Sequence, residues 1–192
     1  MSQAIAATPA KLVIGAFMKD KALFLELAEI LEKKFGPIDM VCPWLPFDFT
    51  DYYSKEMGGP LFRRVISFVN LIAQDSLSEI KAITNKIESG FLNNNNRGIN
   101  IDPGYLVHER FVLATGKNFT HRIYVGNGTY ADLTLVFSKG SFQDLAWTYP
   151  DYKSKLLKNF LALVRKKYVT DIKRLNSDDK KHDRLCRLRN TR

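Results

Sequence analysis

The sequence predicts an α+β fold: a ferredoxin-like βαββαβ layer, extended by an antiparallel hairpin and followed by a C-terminal amphipathic helix. Three observations carry this expectation. Leu12 to Met18 is apolar on both faces, as a central strand requires. Strand-like and helix-like periodicities then alternate in the order strand, helix, strand, strand, helix, strand. Finally, residues 121–125 and 129–137 flank Gly126-Asn127-Gly128, the strongest hairpin signal in the chain.

Residues 1–10 are small and polar and are expected to be loose, leaving residues 11–172 as a single domain. After the first strand, Asp20 caps a helix with Leu23, Phe24, Leu27, Ile30, Leu31 and Phe35 inward, and Gly36-Pro37 stops it. Phe47 to Tyr53 and Leu61 to Asn70 read as two strands joined through Glu56-Met57-Gly58-Gly59-Pro60. Ser76-Leu77-Ser78-Glu79 has the form of a capping box and opens a helix carrying Leu77, Ile80, Ile83 and Ile87. Asn93 to Asn96 form a low-complexity loop. A short strand from Arg97 to Asp102 is then expected to end in a type II turn, because Pro103 and Gly104 follow Asp102. Glu109 to Thr115 forms another strand, and from Tyr152 a helix aligns Leu156, Phe160, Val164, Tyr168 and Ile172 at intervals of four.

Charge divides the chain. Residues 153–192 hold 14 Lys and Arg against 4 Asp and Glu, whereas residues 1–152 are nearly balanced, so the net charge of +9 belongs to the C-terminal segment. Residues 173–192 read as a basic, disordered tail. Two cysteines far apart, Cys42 and Cys186, form neither a disulfide framework nor a zinc pattern and fit a reducing compartment. With no signal peptide and no apolar run of membrane-spanning length, the chain is expected to be cytoplasmic and without a membrane partner.

The hairpin register brings chemistry together. A three-residue Gly-Asn-Gly loop pairs Tyr124 with Tyr130 and Arg122 with Asp132, whereas a two-residue loop would slip the register and mix the faces. The outcome is a face bearing Arg122, Tyr124, Tyr130, Asp132 and Thr134. It reads either as a solvated sheet with a cross-strand ion pair or as a ligand platform with Arg122 as an anion fork. Arg63, Lys117 and Arg122 are candidates for neutralising an anion. Tyr105, Tyr124, Tyr130, Asn100, Trp147, Tyr149 and Asp151 are candidates for shaping the site. Asp102, Asp132 and His121 are candidate acid/base groups. Each has a plain alternative: Asp102 as an Asx turn, and His121 as a core-edge histidine sharing a face with Ile123. Asp48, Asp51 and Glu56 read as charge partners of Arg63 and Arg64, or as acids with a catalytic or metal role. His108 with His121 matches no zinc spacing.

No Gly-x-x-x-x-Gly-Lys-Ser/Thr loop is present, since Phe111 stands where its first glycine belongs and Asn118 follows Lys117. Thr84-Asn85-Lys86-Ile87-Glu88 lies within an amphipathic helix rather than a guanine-reading loop. Hydrolase elbows and metalloprotease helices are absent as well. Lys153, Lys155, Lys158, Arg165, Lys166, Lys167, Lys173 and Arg174 could track a phosphate backbone, or simply solvate a terminal helix.

Taken together, FDFTDYYSKEMGGPLFRRVISF, LSEIKAITNKIE, INIDPGYL, FVLATGKNFTHRIYVGNGTYADLTLVF and WTYPDY resemble a bacterial family of unknown function, catalogued as number 4416, over about residues 10–170. Members are often labelled "GTP-binding protein". The resemblance supplies no catalytic residue and no cofactor. The expectation is a protein that binds, or acts on, a phosphate-bearing small molecule or nucleotide through a basic and aromatic sheet face. The alternatives are an RNA- or ribosome-associated module using residues 153–192, and a protein-interaction domain with an aromatic patch at Trp147, Tyr149 and Tyr152.

Overall fold

The computed structural model describes residues 3, 5–50, 53–93 and 96–189, with the side chains of residues 54, 55, 176 and 178–189 outside the description. Strand β1 (Ala10–Met18) is buried along its whole length, and α1 (Leu23–Phe35) follows it with Phe24, Leu27 and Leu31 inward. Next come β2 (Ile38–Val41), the two-residue β3 (Leu45–Pro46), the short α2 (Ser54–Met57) and β4 (Phe62–Ile72). Helix α3 (Leu77–Gly90) precedes a small hairpin of β5 (Leu92–Asn93) and β6 (Asn96–Arg97). Then β7 (Ile99–Leu106), β8 (Arg110–Thr115), β9 (Arg122–Gly126), β10 (Thr129–Ser138) and β11 (Ser141–Asp144) complete the strands. A 3-10 turn at Pro150–Lys153 leads into α4 (Lys155–Arg189).

Nine of the described strands form one sheet in the order β11-β10-β8-β7-β1-β4-β2, with β3 on β4 and β9 on β10, and every pairing is antiparallel. The protein is therefore α+β, built on a large antiparallel sheet. One core lies between the sheet and helices α1 and α3, where Leu12, Ile14, Ala16 and Met18 meet Leu27, Leu31 and Ile80. A second core joins Val13 and Val65 to Leu157, Phe160, Leu161, Val164 and Tyr168 of α4. From Leu12 to Met18, β1 is apolar on both faces because it serves both cores.

The structure corrects several expectations. Residues Asp102-Pro103-Gly104 do not turn: they run straight through β7, with Asp102 opposite Gly15 and Pro103 opposite Ile14. Proline fits because the β7–β8 ladder stops at Gly104 and Leu113, so the missing N–H falls where that ladder has ended. Gly104 is needed for closeness. A Cβ there would stand 2.5 Å from the Val112 carbonyl. No strand forms over Phe47–Thr50, since β4 already has β1 on one side and β2 and β3 on the other. Instead Phe47 drops onto Phe17, ring centroids 4.2 Å apart, beside Met57 and Leu61. Asp51 and Tyr52 lie outside the described residues.

Ser76 precedes α3 but makes no capping box. Its hydroxyl donates backward to the Ala73 carbonyl. Along α4 the buried stripe contains Leu157 and Leu161, and Leu156 is exposed. The stripe steps by both three and four residues, which a strict four-residue spacing misses. The helical backbone continues past Ile172 to Arg189. The hairpin closes as Thr129 on Gly126 around Asn127-Gly128, both with positive φ. Val125 bulges, and that extra residue restores the expected pairs Tyr124–Tyr130 and Arg122–Asp132. The two-residue loop and the polar register are thus compatible after all.

Candidate functional site

Where β1, β4 and β7 lie side by side, the residues Gly15, Arg63 and Asp102 share one face of the sheet. The segment Tyr149–Tyr152 folds across it and closes a cleft of about 80 Å³, lined by Phe47, Tyr53, Arg63, Asp102, Leu113, Ala114, Thr115, Tyr149, Asp151 and Tyr152. Arg63 is its centre and is almost fully buried. Its Nη1 pairs with Asp151, its Nη2 lies 3.3 Å from Asp102 Oδ2, and its Cζ stands 4.7 Å from the Tyr152 ring centroid and 5.2 Å from that of Phe47. Two carboxylates on the edge and aromatic rings on the faces are what a buried guanidinium needs. Gly15 admits this stack: a Cβ there would lie 3.2 Å from the Tyr152 hydroxyl and 3.3 Å from Arg63 Nη2.

Two buried donors on residues lining the cleft remain without a hydrogen-bond partner among the described residues, Arg63 Nε and the Tyr152 hydroxyl. Such groups cost about 1–3 kcal/mol each when unmet. Burial pushes the Tyr152 phenol up to about 12, so it stays protonated and can donate. Asp102 is the more open of the two acids, its side chain 27% exposed. Lys81 Nζ, 4.0 Å from Asp102 Oδ1, donates to the Ile101 carbonyl. Asp102 therefore keeps acceptor capacity beside the two unmet donors.

A second cluster stands behind the Tyr149 wall. Asp132 is fully buried and accepts through Oδ2 from Arg122 Nε at 2.9 Å, with His121 Nε2 at 3.0 Å, while Thr134 donates to its Oδ1 at 3.2 Å. Arg122 gives Nη1 to the Lys117 carbonyl and Nη2 to the Tyr149 hydroxyl. Three of its five N–H groups are thus engaged, on Asp132, the Lys117 carbonyl and the Tyr149 hydroxyl. His121 stacks on Trp147 at 4.7 Å and departs from the expected face because β9 begins only at Arg122. Ile123, its expected face-mate, is exposed. Trp147 donates its indole N–H to the Leu133 carbonyl and stays exposed, whereas Tyr152 is buried, so Trp147, Tyr149 and Tyr152 do not form one surface patch. Burial pushes the Tyr149 phenol up, with Arg122 drawing it back.

Of the sequence candidates, Arg63, Asp102, Tyr149 and Asp151 meet at the cleft, with Arg122, Asp132, His121, Lys117 and Trp147 behind it. Tyr105 is packed in the core. Tyr124 and Tyr130 meet edge to face on the hairpin at 5.3 Å. Asn100 is buried and accepts from Arg97. Glu56 pairs with Arg97 rather than Arg63, and Arg64 donates to the Cys42 carbonyl. His108 contacts Arg165 on α4. Sequence reasoning missed Tyr152, Gly15 and Phe47 as parts of the site. Tyr152 had a signal, its position three residues after Tyr149 on a Pro-initiated turn. Among the described residues no group of three His, Cys, Asp or Glu is placed to hold a metal ion, and no helix is long and apolar enough to cross a membrane.

The chain matches the family model described as Domain of unknown function (DUF4416) over residues 8–168, and it belongs to that family. No curated protein and no solved structure matches it.

Proposed function

We propose that this family member is a cytoplasmic small-molecule-binding protein whose ligand places an acceptor oxygen against Arg63 Nε and the Tyr152 hydroxyl. The observation that carries the reading is that pair of buried, unmet donors on residues lining one cleft. A phosphate, carboxylate or carbonyl oxygen would satisfy them. At about 80 Å³ the cleft takes a single functional group, roughly the room of two or three waters. The body of a nucleotide or other metabolite would rest outside, against Tyr53 and Tyr149. The order β7-β1-β4-β2 with α1 and α3 on one face supports the ferredoxin-like layout for the part of the fold that carries Gly15, Arg63 and Asp102.

Calorimetric titration with a panel of nucleotides, phosphorylated metabolites, organic acids and amides tests this. A binder should lose about tenfold in affinity with Tyr152→Phe, the worth of one buried hydrogen bond. A panel without any binder, or a binder indifferent to Tyr152→Phe, would sink the reading.

A second reading has its own observation: Lys153, Lys155, Lys166, Lys173 and Arg174 are exposed along the C-terminal segment. Such a row suits a nucleic-acid backbone. If it serves one, deleting residues 173–192 should weaken RNA binding and flatten its dependence on salt.

A further inference from the structure

The cleft offers donors and an acceptor on one edge, and this narrows the ligand. Nε and Nη2 share the side edge of the Arg63 guanidinium. Nη2 is taken by Asp102 Oδ2 at 3.3 Å, while Nε is unmet. A group approaching that edge finds an N–H donor and a carboxylate acceptor next to each other, with the Tyr152 hydroxyl as a second donor. The charged groups lining the cleft are one arginine against two aspartates, Asp102 and Asp151. Arg63 therefore already faces two carboxylates, and although Lys81 stands 4.0 Å from the far oxygen of Asp102, an anionic group entering at the Nε edge meets the Asp102 carboxylate first.

We propose that the ligand enters by an amide edge, its carbonyl oxygen accepting from Arg63 Nε and the Tyr152 hydroxyl and its N–H donating to Asp102. This rests on the reading of the cleft as a ligand site and specifies what that site selects. Each group then fills the capacity its partner leaves: two donors meet one carbonyl oxygen, which has two lone pairs, and the half-used carboxylate meets an N–H. A phosphate or carboxylate satisfies the donors but leaves Asp102 facing another anion. The aromatic walls Phe47, Tyr53 and Tyr149 suit the planar, uncharged face of an amide.

The test uses the full chain, labelled with nitrogen-15, titrated separately with acetamide, acetate and inorganic phosphate while the backbone amide resonances of Gly15 and Asp102 are followed. Acetamide should shift both resonances and saturate at a concentration at least about fivefold lower than either anion. Asp102→Asn, which can donate where the carboxylate could only accept, should shrink that preference. Acetate or phosphate saturating these amides more tightly than acetamide would overturn the amide assignment while leaving the cleft a ligand site. Equal affinity for all three would overturn it too. Silence from all three probes at both residues would remove the ligand site itself, and with it this inference. The order of preference in the unaltered protein decides the matter even where Asp102→Asn fails to fold.

Discussion

Arg122 donates through Nη2 to the hydroxyl of Tyr149, and that bond joins the buried Asp132 cluster to the wall of the Arg63 cleft. Tyr149 lines the cleft while Arg122 holds its hydroxyl and stands with its Cζ 5.7 Å from the ring centroid. The cleft thus depends on a hairpin whose own residues do not line it. Arg122 acts as a brace, and its charge is spent on Asp132.

The brace makes Asp132 a stability residue first. Removing its carboxylate leaves Arg122 buried without a counterion, so Asp132→Ala should cost about 3–5 kcal/mol. Asp132→Asn keeps a hydrogen-bonding oxygen and should cost less, about 1–3 kcal/mol. Urea denaturation measures both. A loss below about 1 kcal/mol for the alanine variant would mean that Arg122 finds another partner and that the cluster is not a brace.

Gly104 and Gly116 make a matched pair. A methyl group at Gly104 would press on the Val112 carbonyl at 2.5 Å and on Leu113 at 3.0 Å, and backbone cannot step aside cheaply. Gly104→Ala should destabilise by about 1–3 kcal/mol, the usual cost of overpacking. At Gly116 nothing lies within 4 Å, so the same substitution there should change stability by under about 0.5 kcal/mol. Thermal melts of the two variants side by side would separate them. Similar melting temperatures would contradict the close approach of β7 to β8.

Tyr152 predicts an alkaline limit. In the unfolded chain its phenol ionises near 10.0, and burial raises it to about 12 in the folded protein. The folded state holds a proton that the unfolded chain gives up, so stability is complete below pH 10 and falls as pH rises from 10 toward 12. Tyr149 is raised in the same direction. Urea midpoints between pH 8 and 11 should therefore decline, and decline less steeply in Tyr152→Phe. Equal slopes would show that the hydroxyl is not buried.

These residues also show what sequence could and could not carry. Both buried faces of β1 were legible because continuous apolar runs have few other uses. The Tyr124–Tyr130 and Arg122–Asp132 pairs were legible through alternation, although a bulge at Val125 supplied the register where a longer loop was expected. Asp102-Pro103-Gly104 misled because its turn propensity is local, whereas the missing proline N–H is accommodated by where a neighbouring strand stops. The partner of Arg63 was not legible for a related reason. Sequence lists charges but not all their partners, and the acid that Arg63 meets, Asp151, is one that only the fold brings to it. Gly15 carried no signal at all, since its role is the room it leaves for Arg63 and Tyr152.

A third polar centre governs the acid side. Lys11, fully buried on β1, reaches Asp39 at 2.8 Å, the Phe68 carbonyl at 2.8 Å and Asp171 of α4 at 2.7 Å, so it ties the C-terminal helix to the sheet. Burial pushes the Asp171 carboxyl up, but hydrogen bonds and charge from Lys11 and Lys167 outweigh it and hold it below its usual value. A carboxyl lowered on folding contributes stability above its unfolded value of 3.8, and that contribution is lost as pH falls through the lower folded value. The stability gap between the unaltered protein and Asp171→Asn should therefore be widest near pH 6, begin to narrow as pH falls through about 4, and close only below the lowered folded value, where both carry a neutral side chain. Urea midpoints at pH 6, 4 and 3 measure it. A gap that stays constant across this range would mean that Asp171 contributes through packing alone. In that case Lys11 would hold α4 to the sheet without help from its charge.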